Sequence, residues 1–152
     1  MNKMALLIID VQNALMWENP WRGAQMIENI KSLQQTAREH GVEVIFIQHC
    51  EEDNEFAIGQ ESWKIYDEIA PLEHEKVIYK HFNSAFRDTT LELYLEDKGI
   101  ETLMTVGMQT EYCFDATIKV GFELGYEMLI PESTNTTFDG KKIGRASCRE
   151  RV

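Results

Sequence analysis

The sequence predicts an α/β fold in which an open, mostly parallel sheet carries helices on both faces. Two observations lead to this prediction. Short, continuous apolar runs recur along the chain, each followed by polar residues or a turn, as is typical of strands that are buried on both faces. Segments with apolar residues at helical spacing separate these runs. Regular alternation of strand and helix predicts parallel strands joined by right-handed crossovers, in a three-layer α/β/α arrangement.

The first strand–helix–strand unit lies near the N-terminus. Its two predicted strands are the apolar runs from Ala5 to Ile9 and from Val42 to Ile47. The intervening segment from Ala24 to Glu39 carries an apolar stripe at helical spacing, and Gly41 follows it as a C-cap.

The same alternation continues along the rest of the chain. The later predicted elements are a strand from Lys76 to Tyr79, a helix from Thr89 to Asp97, a strand from Thr102 to Val106, a helix from Cys113 to Leu124 and a strand from Tyr126 to Ile130. Ligands of open parallel sheets bind at the carboxyl ends of the strands, so we expect the functional site there. The acidic, irregular segment from Glu51 to Trp63 is interpreted as a loop over that edge, with a lid as a hypothesis.

The length indicates one domain, and the C-terminal sequence indicates where that domain ends. A chain of 152 residues is long enough for one domain with a substantial core. From Ile143 onward the sequence IGRASCRERV has no apolar period and resembles one translated frame of a sequencing adapter. We therefore expect a domain over residues 1–142 that is truncated at its C-terminus, and a non-native tail over residues 143–152.

The composition excludes several classes of partner. A net charge of -11 argues against nucleic acid, since phosphate binding needs clustered Lys and Arg. No apolar run approaches the roughly 20 residues of a membrane span, and no targeting signal is recognised. The three cysteines show no CxxC or zinc-ligand spacing, which favours a reducing, cytoplasmic location and leaves a thiol available for chemistry.

Three chemically useful residues follow three separate predicted strands. Asp10 follows the LLII run, Lys80 follows KVIY, and Cys113 lies beyond the strand that ends at Val106. Each has a structural alternative: an Asp that caps a turn, a Lys on the surface, or a buried structural Cys. The coincidence of all three at strand ends favours a shared site that holds a proton carrier, a cation and a nucleophile, the minimum for acyl transfer through a thioester.

The predicted position of Cys113 also bears on its reactivity. A thiol at a helix N-terminus experiences the partial positive charge of unpaired N–H groups, so we expect a lowered pKa that favours the thiolate. The same N–H groups are able to hold an oxyanion.

The stretches ALLIIDVQNAL, KHFNSAF and VGMQTEYCFDATIKVGFELGY carry a family resemblance. From about Met4 to Asp139 the chain resembles the isochorismatase-like cysteine hydrolase superfamily, which includes nicotinamidases and N-carbamoylsarcosine amidases. The resemblance implies a Rossmann-like three-layer fold and a small-molecule substrate. It also implies that Cys113 attacks a carbonyl, that Asp10 passes the thiol proton to the leaving amine, and that Lys80 stabilises charge between them.

Two further implications concern the backbone and the assembly. The resemblance places a non-proline cis peptide bond between Met108 and Gln109, and it assigns the oxyanion hole to the N–H groups of Gln109 and Cys113. Members of this superfamily often form dimers and tetramers, so the resemblance leads us to expect a homo-oligomer.

The pocket walls are predicted from their position beside the catalytic residues. Aromatic and amide side chains suit small, flat substrates, and core packing is an equally weighted alternative for Trp17 and Phe82. The predicted substrate-binding residues are Gln12, Trp17, Phe82 and Tyr112.

The resemblance departs from metal-dependent nicotinamidases after the second strand. Those proteins carry an Asp-x-His cluster there, whereas this chain reads IQHCEEDNEF. We therefore predict no metal and no cofactor, and expect His49 to line the pocket.

The predicted function is hydrolysis of a C–N bond in a small amide, carbamoyl or ureido substrate through a thioester intermediate. Two alternatives stay open. One is a catalytically idle domain of the same fold that binds a partner through its acidic face. The other is a domain in which Cys113 serves as a redox-reactive thiol.

Overall fold

The structure, a computed structural model, describes residues 3–138 and is built around one parallel sheet. Its strands lie in the order β3-β2-β1-β4-β5. Strand β6 pairs with the last two residues of β4, whereas β5 pairs with earlier residues of β4. All these pairings are parallel. The strands are β1 (Lys3–Ile9), β2 (Glu43–His49), β3 (Lys76–Lys80), β4 (Ile100–Met108), β5 (Glu127–Leu129) and β6 (Asn135–Thr136). The predicted parallel sheet is confirmed.

The helices are α1 (Asn13–Met16), α2 (Gly23–Glu39), α3 (Leu91–Lys98) and α4 (Asp115–Glu123). A 3₁₀ turn spans Asp67–Ile69, and a π-helical turn spans Thr110–Phe114. The helix predicted to begin at Cys113 in fact begins at Asp115, because the π-helical turn that contains Cys113 precedes it. Helix α1, the 3₁₀ turn and β6 were not predicted, since elements this short show no hydrophobic period.

The core lies on both faces of the sheet. Alternate side chains of a strand point to opposite faces, and in β1 one set packs with the buried residues of α3 whereas the other packs with those of α2. The first set is Ala5, Leu7 and Ile9, with Leu91 and Leu95 of α3; the second is Leu6 and Ile8, with Met26, Ile27 and Ile30 of α2. Each fully buried Leu, Ile or Met side chain in these sets stabilises the fold by about 1.5–3 kcal/mol relative to exposure.

Gly107 fixes the approach of β4 to β1 at the edge where the site lies. It pairs with Ile9 in the parallel register and has a φ of 121°. A Cβ at this position would lie 2.1 Å from the carbonyl oxygen of Ile9. Only glycine fits there, and its fit places the end of β4 directly beside Asp10, which follows β1.

The segment from Glu51 to Trp63 is irregular, as predicted. Its C-terminal half is anchored to the sheet edge, because the side chains of Gln12 and Gln48 both donate to the carbonyl oxygen of Trp63. Asn13 donates to the carbonyl oxygen of Glu61. These bonds favour a fixed cover over a moving lid.

Within residues 3–138, no helix combines the length and the hydropathy needed to cross a bilayer. The predicted non-native tail over 143–152, the boundary at residue 142 and the expected C-terminal truncation lie outside the described residues and stay predictions.

Candidate active site

Asp10, Lys80 and Cys113 meet at the carboxyl edge of the sheet. The Nζ atom of Lys80 lies 2.8 Å from Oδ2 of Asp10 and 3.2 Å from Sγ of Cys113. Strand β2 separates β1 from β3, so the Lys80 side chain reaches across the end of β2 to meet Asp10. The structure therefore brings together the three residues that the strand-end pattern indicated.

The Lys80 ammonium is the centre of this arrangement. Lys80 is fully buried, and its Nζ also lies 2.9 Å from Nδ1 of His49 and 3.0 Å from the carbonyl oxygen of Phe82. An ammonium has three protons to donate, and four acceptors surround this one, so its hydrogen-bonding capacity is filled. This is the condition under which a buried charge is tolerated.

Asp10 is only 2% exposed and has a φ of 51°, a left-handed conformation that is uncommon outside glycine. Its Oδ2 atom is bonded to Lys80, while its Oδ1 atom is buried with no hydrogen-bond partner among the described residues. A carboxylate oxygen of Asp10 lies within 4.8 Å of Sγ of Cys113. A buried carboxylate that has one unpaired oxygen and lies this close to a thiol is suited to receive a proton.

The expected lowering of the Cys113 pKa is wrong. Burial of the thiol, followed by the negative charge of Asp10, raises its pKa to about 12, and Lys80 opposes the rise only in part. The thiol packs against the buried core cluster that contains Phe114, so desolvation outweighs the helix-terminus effect. The resting form is therefore the thiol, and nucleophilic attack requires a base.

The backbone before Cys113 contains one of the two features that the resemblance implied. The peptide bond between Met108 and Gln109 is cis. Gln109 precedes the π-helical turn, and its carbonyl oxygen accepts hydrogen bonds from the N–H groups of Tyr112 and Phe114. An oxyanion hole formed by the N–H groups of Gln109 and Cys113 stays a prediction.

Gln12 is fully buried, and its amide spans the site edge. Its Nε2 atom donates to the carbonyl oxygens of His49 and Trp63, at 3.0 and 2.8 Å, and its Oε1 atom accepts from the His49 N–H at 2.9 Å. With its amide committed in this way, Gln12 is better suited to hold the site together than to contact substrate directly.

The three predicted aromatic wall residues differ in their placement. Phe82 is partly buried beneath the guanidinium of Arg87, which lies 3.7 Å from the ring centroid. Tyr112 neighbours Cys113 and is 44% exposed, whereas Trp17 ends α1 and is 57% exposed. The exposure of Trp17 argues against the core-packing alternative, and the substrate contacts of all three residues stay predictions.

Sequence reasoning missed two partners of the site. Glu51 accepts a hydrogen bond from Nε2 of His49 at 2.6 Å, and Oδ1 of Asn83 lies 3.8 Å from Sγ of Cys113. The spacing His49-x-Glu51 was the available signal for the first. Asn83 falls within the KHFNSAF stretch, in which the sequence indicates only Lys80 and Phe82 as site residues.

Asp10, His49 and Cys113 also form a cluster of potential metal ligands whose atoms lie within 4.8 Å of one another. The Nζ atom of Lys80 contacts a ligand-type atom of each of them. A fixed ammonium among three ligands opposes a second cation, so the residues present do not suit a metal while Lys80 is charged.

The fold and the site define an α/β protein with a buried Asp–Lys–Cys cluster at the carboxyl edge of its sheet. The model of the isochorismatase domain matches residues 4–150. The chain belongs to the isochorismatase family of hydrolases.

Individual relatives agree with this assignment. The chain is 34% identical over 142 residues to the uncharacterised isochorismatase family protein YddQ of Bacillus subtilis, covering 88% of this chain and 77% of YddQ. It is 29% identical over 143 residues to streptothricin hydrolase of Streptomyces noursei, covering 88% of this chain and 50% of the relative. It is 28% identical over 158 residues to N-carbamoylsarcosine amidase of an Arthrobacter species, covering 88% of this chain and 59% of the relative.

Among solved structures, that of an isochorismatase family protein matches with a TM-score of 0.83 at 30% identity, covering 90% of this chain and 82% of that one. The predicted fold class and the predicted family resemblance are both confirmed.

Proposed function

We propose that this chain is a cysteine hydrolase that cleaves a C–N bond of a small amide, carbamoyl or ureido substrate through a thioester at Cys113. The observation that carries the proposal is the contact of one buried ammonium, that of Lys80, with both the Asp10 carboxylate and the Cys113 sulfur. Streptothricin hydrolase and an amidase are among the relatives, which supports the chemical class.

The raised pKa of Cys113 supports a first step in which the thiol loses its proton to a base. Since the resting residue is a thiol, Asp10 takes its proton, and the unpaired Oδ1 atom is the oxygen suited to receive it. The sulfur then forms a bond to the substrate carbonyl carbon. Lys80 lies within hydrogen-bonding distance of both partners and offsets the charge of the thiolate as it develops.

Collapse of the tetrahedral intermediate breaks the C–N bond, and protonated Asp10 returns its proton to the leaving nitrogen. Water then attacks the thioester carbonyl, Asp10 accepts a water proton, and the proton passes to the departing sulfur. The N–H groups of Gln109 and Cys113 are the proposed donors to the oxyanion in both stages.

The redox alternative requires a thiolate that is readily available. Oxidation proceeds through the thiolate, and the raised pKa of Cys113 keeps that form scarce at neutral pH. Acyl transfer uses the same thiolate once Asp10 has taken the proton, so the raised pKa does not separate the two chemistries. The hydrolase and the amidase among the relatives support acyl transfer.

A panel of nicotinamide, carbamoyl and ureido compounds tests the proposal through product release and intact-protein mass. We expect turnover of at least one class and an acyl adduct on Cys113 under rapid quench. Cys113→Ala should abolish turnover, whereas Cys50→Ala should retain it because the Cys50 sulfur contacts the Gln48 carbonyl and Nε1 of Trp63 and has no part in the proposed chemistry. Full turnover by Cys113→Ala would end the mechanism, and a mass gain of oxygen alone would favour the redox alternative.

A further inference from the structure

The imidazole of His49 is held from several directions at the site. Its main chain is fixed on both sides by the Gln12 amide, and its ring makes an edge-on contact with Phe56 at a centroid distance of 5.4 Å. Its Nδ1 atom lies 2.9 Å from Nζ of Lys80, and its Nε2 atom lies 2.6 Å from Oε1 of Glu51. Because both ring nitrogens have hydrogen-bond partners, the imidazole is held in one orientation.

The partners of the ring fix its tautomer. A lysine ammonium only donates hydrogen bonds, so Nδ1 of His49 accepts from Lys80. In the neutral ring the proton then resides on Nε2, which donates to Glu51. Glu51 therefore selects the tautomer that presents a lone pair to Lys80.

The place of His49 in the sheet explains why this lone pair matters. His49 is the last residue of β2, it is in register with Lys80 of β3, and β2 lies between β3 and β1. Lys80 has to extend over this strand end to reach Asp10 and Cys113. An acceptor at the strand end supports the ammonium along that path.

The sulfur is the contact most sensitive to loss of that support. Among the four acceptors of Nζ, Asp10 is the nearest at 2.8 Å and the sulfur is the farthest at 3.2 Å. With the His49 acceptor removed, the full charge of Asp10 would draw the ammonium toward itself and weaken its contact with the sulfur.

We infer that His49 and Glu51 are positioning residues: the carboxylate of Glu51 orients His49, and Nδ1 of His49 holds the Lys80 ammonium against Cys113. The effect on hydrolysis rests on the proposed function, but the effect on the thiol does not.

The primary test measures alkylation of Cys113 by iodoacetamide at a fixed alkaline pH, followed by peptide mapping because the chain has three cysteines. His49→Ala and Glu51→Ala should slow alkylation by up to about tenfold, which corresponds to a rise of about one in the thiol pKa. His49→Asn places an amide oxygen near the position of Nδ1, and Glu51→Gln keeps an acceptor for Nε2, so both should restore a rate near that of the wild type.

Matched measurements separate this role from a purely structural one. Glu52→Ala removes a neighbouring exposed carboxylate and should alkylate like the wild type. Circular dichroism establishes that each compared variant is folded. If His49→Ala proves unfolded, the pair Glu51→Ala and Glu51→Gln decides the outcome alone.

The catalytic readout uses any substrate identified by the panel. Misplacing a catalytic group should lower kcat by about 10- to 100-fold, and KM should change far less because neither residue is assigned to substrate binding. Wild-type alkylation of folded His49→Ala, or equal loss in Glu51→Gln and Glu51→Ala, would overturn the inference. Absence of turnover on every compound would count against the proposed function alone, since the alkylation result stands without it.

Discussion

The Nζ atom of Lys80 lies 2.8 Å from Oδ2 of Asp10, and the exposed fractions of the two side chains are 0% and 3%. This is a buried ion pair joining residues from strands that are not neighbours in the sheet. Removing one member of such a pair leaves an uncompensated charge, whereas replacing both by apolar residues is often nearly neutral.

Lys80→Met should therefore lower the free energy of unfolding by about 3–5 kcal/mol, measured by urea denaturation at neutral pH. The double variant Asp10→Asn with Lys80→Met removes both charges, and Asn tolerates the left-handed backbone at residue 10. It should recover much of that loss while remaining inactive. Lys119→Met is the control, because the ion pair of Lys119 with Asp115 is solvent-exposed and such pairs contribute about 1 kcal/mol or less. Equal losses in Lys80→Met and Lys119→Met would contradict the assigned importance of the buried pair.

Asp10→Asn should separate thiol reactivity from hydrolysis. The negative charge of Asp10 raises the pKa of Cys113, so its removal should lower that pKa and accelerate iodoacetamide alkylation at about pH 8. The same variant lacks the proton acceptor, so hydrolysis should fall by about 10²- to 10⁴-fold. Alkylation that slows together with hydrolysis would contradict the predicted fall in the pKa of Cys113, and would show that loss of the proton acceptor outweighs loss of the negative charge.

The thiol should also make stability fall at alkaline pH. In the native state its pKa is raised from 9.0 to about 12, so over this interval the unfolded chain releases a proton that the native chain retains. The stabilisation is thus complete below about pH 9 and declines as pH rises toward about 12. Tyr94 has a pKa raised by burial and by Glu43 and contributes in the same direction. The measurement is therefore the difference in the free energy of unfolding between wild type and Cys113→Ala, obtained by urea denaturation at a series of pH values. A difference that stays constant with pH would refute the prediction.

Gly107→Ala should destabilise the fold far more than Gly125→Ala. Both glycines have positive φ, but an added Cβ at Gly107 meets the backbone of Ile9 at 2.1 Å, whereas one at Gly125 has nothing within 4 Å. Gly125→Ala therefore measures the conformational penalty alone, about 1 kcal/mol. Thermal melts of the two variants isolate the steric contribution, and similar melting temperatures would show that β4 is able to shift away from β1.

The sheet could be predicted because its determinants are local. Buried parallel strands such as Ala5 to Ile9 are continuous apolar runs, and α2 shows a clear apolar stripe. The convergence of Asp10, Lys80 and Cys113 followed from the rule that parallel strands share a carboxyl edge. The topology of the sheet was therefore enough to predict which three residues meet at the site.

The electrostatics of the site could not be predicted in the same way. The helix-terminus argument for Cys113 is local, whereas the burial and the Asp10 charge that raise its pKa arise from tertiary packing. The contact of His49 with Lys80 likewise joins residues 31 positions apart. Its partner Glu51 lies in a segment that looked like a solvated acidic loop.

Gln12→Ala should weaken both the fold and the site, because the Gln12 amide satisfies the N–H and carbonyl of His49 and the carbonyl of Trp63. Each buried backbone group left without a partner costs about 1–3 kcal/mol, although the carbonyl of Trp63 keeps a bond from Gln48. We expect a loss of about 2–4 kcal/mol in the free energy of unfolding.

Gln25→Ala removes an exposed helical glutamine and should be nearly neutral. A Gln12→Glu variant retains an acceptor for the His49 N–H but donates to neither carbonyl, so it should not recover the wild-type stability. Recovery in that variant would show that the two donated bonds contribute little, and that the edge is held by the anchors at Asn13 and Gln48 instead.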